Sequence, residues 1–276
     1  MSRVLIVEDD RTTRHLLGQV LTGGGYDVKL AEDGIAGLEA LRAGEYDLML
    51  LDVWMPRMNG LDVLAHMRAE NFGPRTVVMT SDDTPETVLR AVREQAHQYV
   101  NKPIAPQQLL ELVRAVLASK PAPPVEVVSA RPDWVELVLP CDLGTAERIQ
   151  GFIARLDADL PESVREDIAY VFTEMLRNAV EWGGRLDPDR KVRVAYVRAK
   201  RMVLYRIQDP GPGFQLDDLP HAAVSYPTED MAESARVRQE KGIRPGGFGI
   251  LIARSMVDEL LYNEAHNEVL FVKYVD

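Results

Sequence analysis

Short β-branched runs alternate with amphipathic stretches over residues 1–119. Arg3 to Val7, Asp27 to Ala31, Asp47 to Asp52, Thr76 to Thr80 and Gln98 to Asn101 each read as a strand, with helical patterns between and after them. Leu109, Leu112, Val113 and Val116 give the last helix its apolar face. Parallel neighbours need a crossover, and a helix is the usual one, so five βα units in a row predict an α/β domain built on a doubly wound, five-stranded parallel sheet. From Lys120 to Pro132 four of thirteen residues are proline and no helical period survives. Residues 120–133 therefore read as an extended linker, and a second domain is expected over 134–276.

Beyond the linker, Trp134 to Pro140 reads as a strand and Gly144 to Asp157 as a helix. From Pro161, a favoured first-turn residue, the apolar series Ile168, Val171, Phe172, Met175, Leu176, Ala179 and Val180 marks one helix face, and Gly183-Gly184 ends it. Strand patterns follow at Lys191 to Arg198 and Met202 to Asp209. Next come a glycine-rich turn, a polar irregular stretch, and a helix starting near Gly249. Leu260 to Ala265 and Val269 to Val275 form a hairpin around His266-Asn267. The order predicts an α/β sandwich with a mixed, mainly antiparallel sheet.

The length of 276 residues, with 46% hydrophobic and 27% charged positions, suits two globular domains. A net charge of -11 and the lack of a basic stripe in either half argue against a DNA-reading output and against capture by anionic lipid. The single cysteine, Cys141, excludes an internal disulfide and a multi-cysteine zinc site, reads as a small core or loop residue, and suits a reducing cytoplasm. The apolar start runs at once into Glu8, Asp9 and Asp10, too short and acidic for a signal peptide or a membrane span. Gly23-Gly24-Gly25 reads as a helix stop.

In a doubly wound sheet, side chains at the carboxyl ends of the strands converge on one crevice. Here those ends carry Glu8 and Asp9, Asp52, Thr80 and Ser81, and Lys102-Pro103. Three converging carboxylates repel one another, and a hard oxygen set suits Mg²⁺. The set, with Met55-Pro56 and Asn59-Gly60 after Asp52, closely resembles the receiver domain of two-component response regulators. The resemblance implies that Asp52 is the phosphoacceptor, supplied by a sensor histidine kinase in a phosphorelay. It implies that Glu8, Asp9, Asp52 and the backbone carbonyl of Trp54 hold Mg²⁺, that Thr80 and Lys102 bind the phosphoryl group, and that Thr80 and Tyr99 form a switch.

In the second half, Glu174 and Asn178 lie one turn apart on a helix flank. Asp209-Pro210-Gly211-Pro212-Gly213-Phe214 follows a strand, and Gly246-Gly247-Phe248-Gly249 precedes a helix, where glycines let backbone N–H groups approach phosphate. The three boxes in this order resemble the ATP-binding, Bergerat-type fold shared by gyrase, histidine kinases and the bacterial anti-sigma serine kinases. Phe172 to Ala179 and Gly246 to Glu259 look most like the anti-sigma branch. The resemblance implies that Asn178 ligates Mg²⁺ on ATP, that Asp209 accepts from the adenine amino group, and that Gly211 and Gly213 shape the adenine-side turn. Gly246, Gly247 and Gly249 would cradle phosphates, Glu174 would be the general base, and residues 215–245 would be a lid carrying Lys241 and Arg244. One position departs: Trp182 stands where that branch usually has histidine.

None of the five histidines sits in a phosphoacceptor motif: His15 and His66 fall on helices, His97 before a strand, His221 in the lid and His266 in a turn. Three outputs remain open: a protein serine/threonine kinase, a silent nucleotide-binding module that sequesters a sigma factor, and an enzyme phosphorylating a separate histidine protein. The partners implied are a STAS-type anti-sigma antagonist or a sigma factor, with homodimerisation as one route of control and with no nucleic acid or membrane partner.

Overall fold

The computed structural model describes residues 1–82, 84–119, 123–214 and 249–275. The chain divides into two compact units, Met1–Ala122 and Pro123–Asp276.

In the first unit, strands β1 (Arg3–Val7), β2 (Asp27–Ala31), β3 (Leu48–Asp52), β4 (Arg75–Thr80) and β5 (Gln98–Asn101) pair in parallel in the order β2-β1-β3-β4-β5. Helices α1 (Arg11–Gly23), α2 (Gly34–Ala43), α3 (Gly60–Ala69), α4 (Pro85–Arg93) and α5 (Pro106–Ala118) make the connections. The strand order reverses at β1 and β3, so the residues after β1 and at the end of β3 share the crevice. Every residue of β3 is buried, as expected of a central parallel strand. Ile6, Leu50, Val77 and Met79 pack with Leu17, Leu21, Leu109 and Val113 in one core, each such side chain contributing about 1.5–3 kcal/mol of burial. Asp10 caps α1 by accepting from the Thr13 amide at 2.7 Å. A Cβ at Gly60 would lie 2.0 Å from the Asp52 carbonyl oxygen, so only glycine lets α3 start against the end of β3.

In the second unit, β6 (Glu126–Arg131), β7 (Trp134–Pro140), β8 (Lys191–Ala199), β9 (Met202–Gln208), β10 (Glu259–Tyr262) and β11 (Glu268–Tyr274) form a sheet in the order β10-β11-β9-β8-β7-β6. Among the described residues every pairing in it is antiparallel, where the sequence suggested a mixed sheet. Helices α6 (Leu143–Leu156), α7 (Glu162–Asn178) and α8 (Gly249–Met256) complete the unit.

Two local expectations change. Residues 126–131, read as linker, are the edge strand β6, paired with β7. The prolines that hid it stand at 123, 124 and 132, outside the hydrogen-bonded run, where an edge strand tolerates them. The long helix also does not stay α to its end: Ala179–Gly183 form a π turn, with the Gly184 amide donating to the Ala179 carbonyl at 2.8 Å. Such turns are frequent at functional sites.

Behind the sheet lies a buried polar knot. Asp157, just past α6, accepts from Tyr196 Oη at 3.0 Å, Tyr205 Oη at 2.7 Å and Arg198 Nη1 at 3.1 Å. Burial pushes the carboxyl up, and these three donors pull it down. Asp157→Ala would leave two core hydroxyls without their acceptor and the Arg198 guanidinium with Asp159 alone. It is expected to lower stability by about 3–5 kcal/mol in chemical denaturation of the full chain. A loss under about 1 kcal/mol would show that the knot contributes little.

Candidate functional sites

The first site forms where β1, β3, β4 and β5 end. Glu8 and Asp52 are buried, at 1% and 5% exposure, while Asp9 is exposed. One carboxylate oxygen from each of Glu8, Asp9 and Asp52 lies within 4.8 Å of the others. The Lys102 ammonium bridges the two buried members, 2.6 Å from Glu8 Oε2 and 2.7 Å from Asp52 Oδ1. Burial raises the carboxyls of Glu8 and Asp52 above the usual range, against the pull of Lys102. Burial also opposes the charge on Lys102, but its bonds to the two carboxylates outweigh that and leave the ammonium raised. One ammonium against three carboxylates leaves negative charge uncompensated, and oxygen donors at this spacing fit a small hard cation.

Thr80 is fully buried at the end of β4, and Tyr99 is buried on β5. The Thr80 hydroxyl accepts from the Asp82 amide at 3.1 Å, and the Tyr99 hydroxyl donates to the Asp82 carbonyl. The Trp54 side chain is 59% exposed, and its indole N–H donates to Asp82 Oδ2 at 3.1 Å. The structure thus brings together Glu8, Asp9, Asp52 and Lys102, and joins Trp54, Thr80 and Tyr99 through Asp82.

The second site is a cavity of about 300 Å³ lined by residues of α7, the π turn, β9, the loop after it, α8 and the β10–β11 turn. Glu174, Asn178, Asp209, Gly211, Gly213 and Gly249 all line it. Gly246, Gly247, Lys241, Arg244, His221 and the lid over 215–245 lie outside the described residues. The glycines are there for contact: a Cβ at Gly249 would lie 2.1 Å from Glu174 Oε1, and one at Gly183 would lie 2.2 Å from Asp209 Cγ. Gly183, read as a helix stop, therefore also admits the Asp209 carboxylate. Gly213 has φ +83°, and a Cβ there would meet the Ala265 carbonyl oxygen at 1.6 Å.

Asp209 Oδ1 accepts from the Gly211 amide at 2.6 Å, and burial raises its carboxyl against that bond. The β10–β11 turn fixes this loop: the Asp209 amide donates to Asn267 O at 2.9 Å, Asn267 Nδ2 to Gly211 O at 3.1 Å, and the Phe214 amide to Ala265 O at 3.1 Å. Phe214, Tyr262 and His266 form an aromatic cluster on the wall, with centroids 5.2–5.9 Å apart. His266 Nδ1 is buried without a hydrogen-bond partner. Aromatic faces and a half-buried acid fit a nucleotide base. Trp182, the departing position, lines the cavity at 57% exposure. Asn267 escaped sequence reasoning because only the hairpin register places it beside Gly211. Cys141 is buried against Gly184, with its thiol pushed up to about 11 by burial.

Residues 4–114 match the family described as the response regulator receiver domain. The response regulator MtrA of Mycolicibacterium paratuberculosis, described as DNA-binding, is 33% identical over 201 residues, 72% of this chain and 88% of its own length. The chain is a response regulator. Residues 139–273 match the histidine kinase-like ATPase domain, so this response regulator carries an ATPase-type output. The response regulator MprA of Mycobacterium bovis is 35% identical over 130 residues, 47% of this chain and 56% of its own. A solved receiver domain from Methanospirillum hungatei is 28% identical, with a TM-score of 0.41, and covers 42% of this chain and 94% of its own. Among the described residues, no helix is long and apolar enough to cross a membrane.

Proposed function

We propose that this response regulator takes a phosphoryl group on Asp52 from a sensor histidine kinase and thereby controls an ATP-dependent protein serine/threonine kinase of the anti-sigma type. The observation that carries the output reading is one cavity lined by Glu174, Asn178, Asp209 and Gly249 together.

At Asp52 a carboxylate oxygen attacks the donor's phosphorus while the donor's own bond to phosphorus breaks. Lys102, 2.7 Å away, stands by to pair with the charge that moves onto the phosphoryl oxygens. Glu8, Asp9, Asp52 and the Trp54 carbonyl would hold Mg²⁺, which supplies charge neutralisation when bound. In the cavity, Asp209 would accept from the adenine amino group, and Gly211 and Gly213 would keep the backbone beside the base. Asn178 would ligate the nucleotide's Mg²⁺, with Gly246, Gly247 and Gly249 on the phosphates. Glu174 would take the proton from a serine or threonine hydroxyl as its oxygen attacks the γ-phosphorus and the bridging oxygen leaves with ADP. The substrate is a STAS-type antagonist or a sigma factor; a cytoplasmic site and a homodimer belong to the same reading.

The test is incubation with radiolabelled ATP and candidate STAS partners. Acid-stable label on the partner's hydroxyl residues is the expected result. Acid-labile label would assign the histidine-protein reading instead, and partner binding without label would assign sequestration.

A further inference from the structure

We propose that Asp82 and the indole of Trp54 are positioning residues: a latch that holds the hydroxyls of Thr80 and Tyr99 in the arrangement the receiver has before Asp52 is modified. The inference rests on Asp52 as phosphoacceptor and adds two side-chain roles to that reading.

Asp82 is a hub. Its amide donates to Thr80 Oγ1 at 3.1 Å, and its carbonyl accepts from Tyr99 Oη. Its Oδ2 accepts from Trp54 Nε1 at 3.1 Å and Thr87 Oγ1 at 3.0 Å, and its Oδ1 from the Thr84 amide at 3.0 Å. One residue thus ties together the loop after β3, the end of β4, the start of α4 and the strand β5.

A phosphoryl group on Asp52 adds acceptor oxygens in a pocket where Thr80 is fully buried. A shift of the Thr80 side chain to donate its proton to them either leaves the Asp82 amide behind or carries Asp82 with it. Carrying Asp82 pulls on its bonds to Trp54 and Tyr99. These contacts therefore break together or hold together, which is what makes a two-state element out of separate bonds. Trp54 is the movable end. Its side chain is 59% exposed and comes from the loop two residues beyond Asp52, so little packing opposes its release. The bond it makes spans the two loops that flank the acidic site.

Releasing the latch is expected to favour the modified arrangement by about tenfold, the scale of one hydrogen bond to a charged group. The experiment is a beryllofluoride titration of the full chain with Mg²⁺, followed by fluorine NMR, on the wild type, Trp54→Phe, Asp82→Ala and the double variant. Trp54→Phe leaves the backbone carbonyl intact and changes a mostly exposed side chain, so it keeps the test alive if Asp82→Ala folds poorly. Both single variants are expected to bind beryllofluoride with midpoints about tenfold lower. Asp82→Ala also loses the bonds from Thr87 and the Thr84 amide, so its midpoint falls at least as far as that of Trp54→Phe, and the double variant should go no further than Asp82→Ala, where the indole bond is already gone. Unchanged or higher midpoints, or single effects that add in the double variant, would overturn the latch while leaving Asp52 in place. A wild-type chain that ignores beryllofluoride would overturn the Asp52 reading and the latch with it. In a chain keeping Trp54 as its sole tryptophan, through Trp134→Phe and Trp182→Phe, the indole emission is expected to change in step with the titration; constant emission would contradict release of Trp54.

Discussion

Asp52→Asn is expected to abolish covalent modification of the chain by acetyl phosphate, with no phosphoryl mass gain detectable by mass spectrometry. The reason is chemical before it is structural. An amide has no anionic oxygen to attack phosphorus, yet it fills the same space. The fold should not suffer. Asp52 is 5% exposed and shares the Lys102 ammonium with Glu8, which retains its own 2.6 Å contact after the change. Removing one of three crowded carboxylates also relieves repulsion: beside the larger effect of burial, the Asp52 charge raises Glu8 and the Asp9 charge raises Asp52. The expected thermal midpoint of Asp52→Asn is therefore equal to or above the wild type's, measured without divalent cation. Modification that survives the change would move the phosphoacceptor elsewhere, and a large drop in stability would mean that Asp52 is chiefly a partner for Lys102.

Glu174→Gln is expected to lower phosphoryl transfer to a protein hydroxyl by about 10²–10⁴-fold, the scale of a lost general base. ATP affinity, measured by calorimetry, should stay within a few fold of wild type, because the base and phosphate contacts assigned to Asp209 and the glycines do not involve this carboxylate. Glutamine is the informative replacement. Glu174 packs so closely on the first residue of α8 that a Cβ at Gly249 would sit 2.1 Å from its Oε1, and a smaller side chain would open that contact as well as remove the base. If transfer is unaffected while nucleotide still binds, Glu174 serves to hold α8 and the proton goes elsewhere.

Much of this was legible along the chain because the chemistry sits at element ends. Glu8, Asp52, Thr80 and Lys102 follow strand patterns directly, and a doubly wound sheet sends all such ends to one crevice whatever lies between them. Glu174 and Asn178 needed only the helical period to become neighbours. The edge strand β6 was not legible, because flanking prolines resemble a linker until β7 supplies its hydrogen bonds. Nor was the π turn at Ala179–Gly183, whose one extra residue per turn leaves the apolar periodicity almost unchanged.

By itself, then, the sequence determined the two α/β halves, the parallel sheet of the first, the acidic cluster and the glycine boxes, since each follows from local period or local chemistry. The tertiary structure alone decided which distant groups meet. It set Gly183 against Asp209, Asn267 across to Gly211, Trp54 onto Asp82 and two tyrosines onto Asp157. Those contacts join residues from 26 to 56 positions apart. Separations of that size carry no periodic signal, and only the register of the sheets and the packing of loops brings such side chains within hydrogen-bond reach.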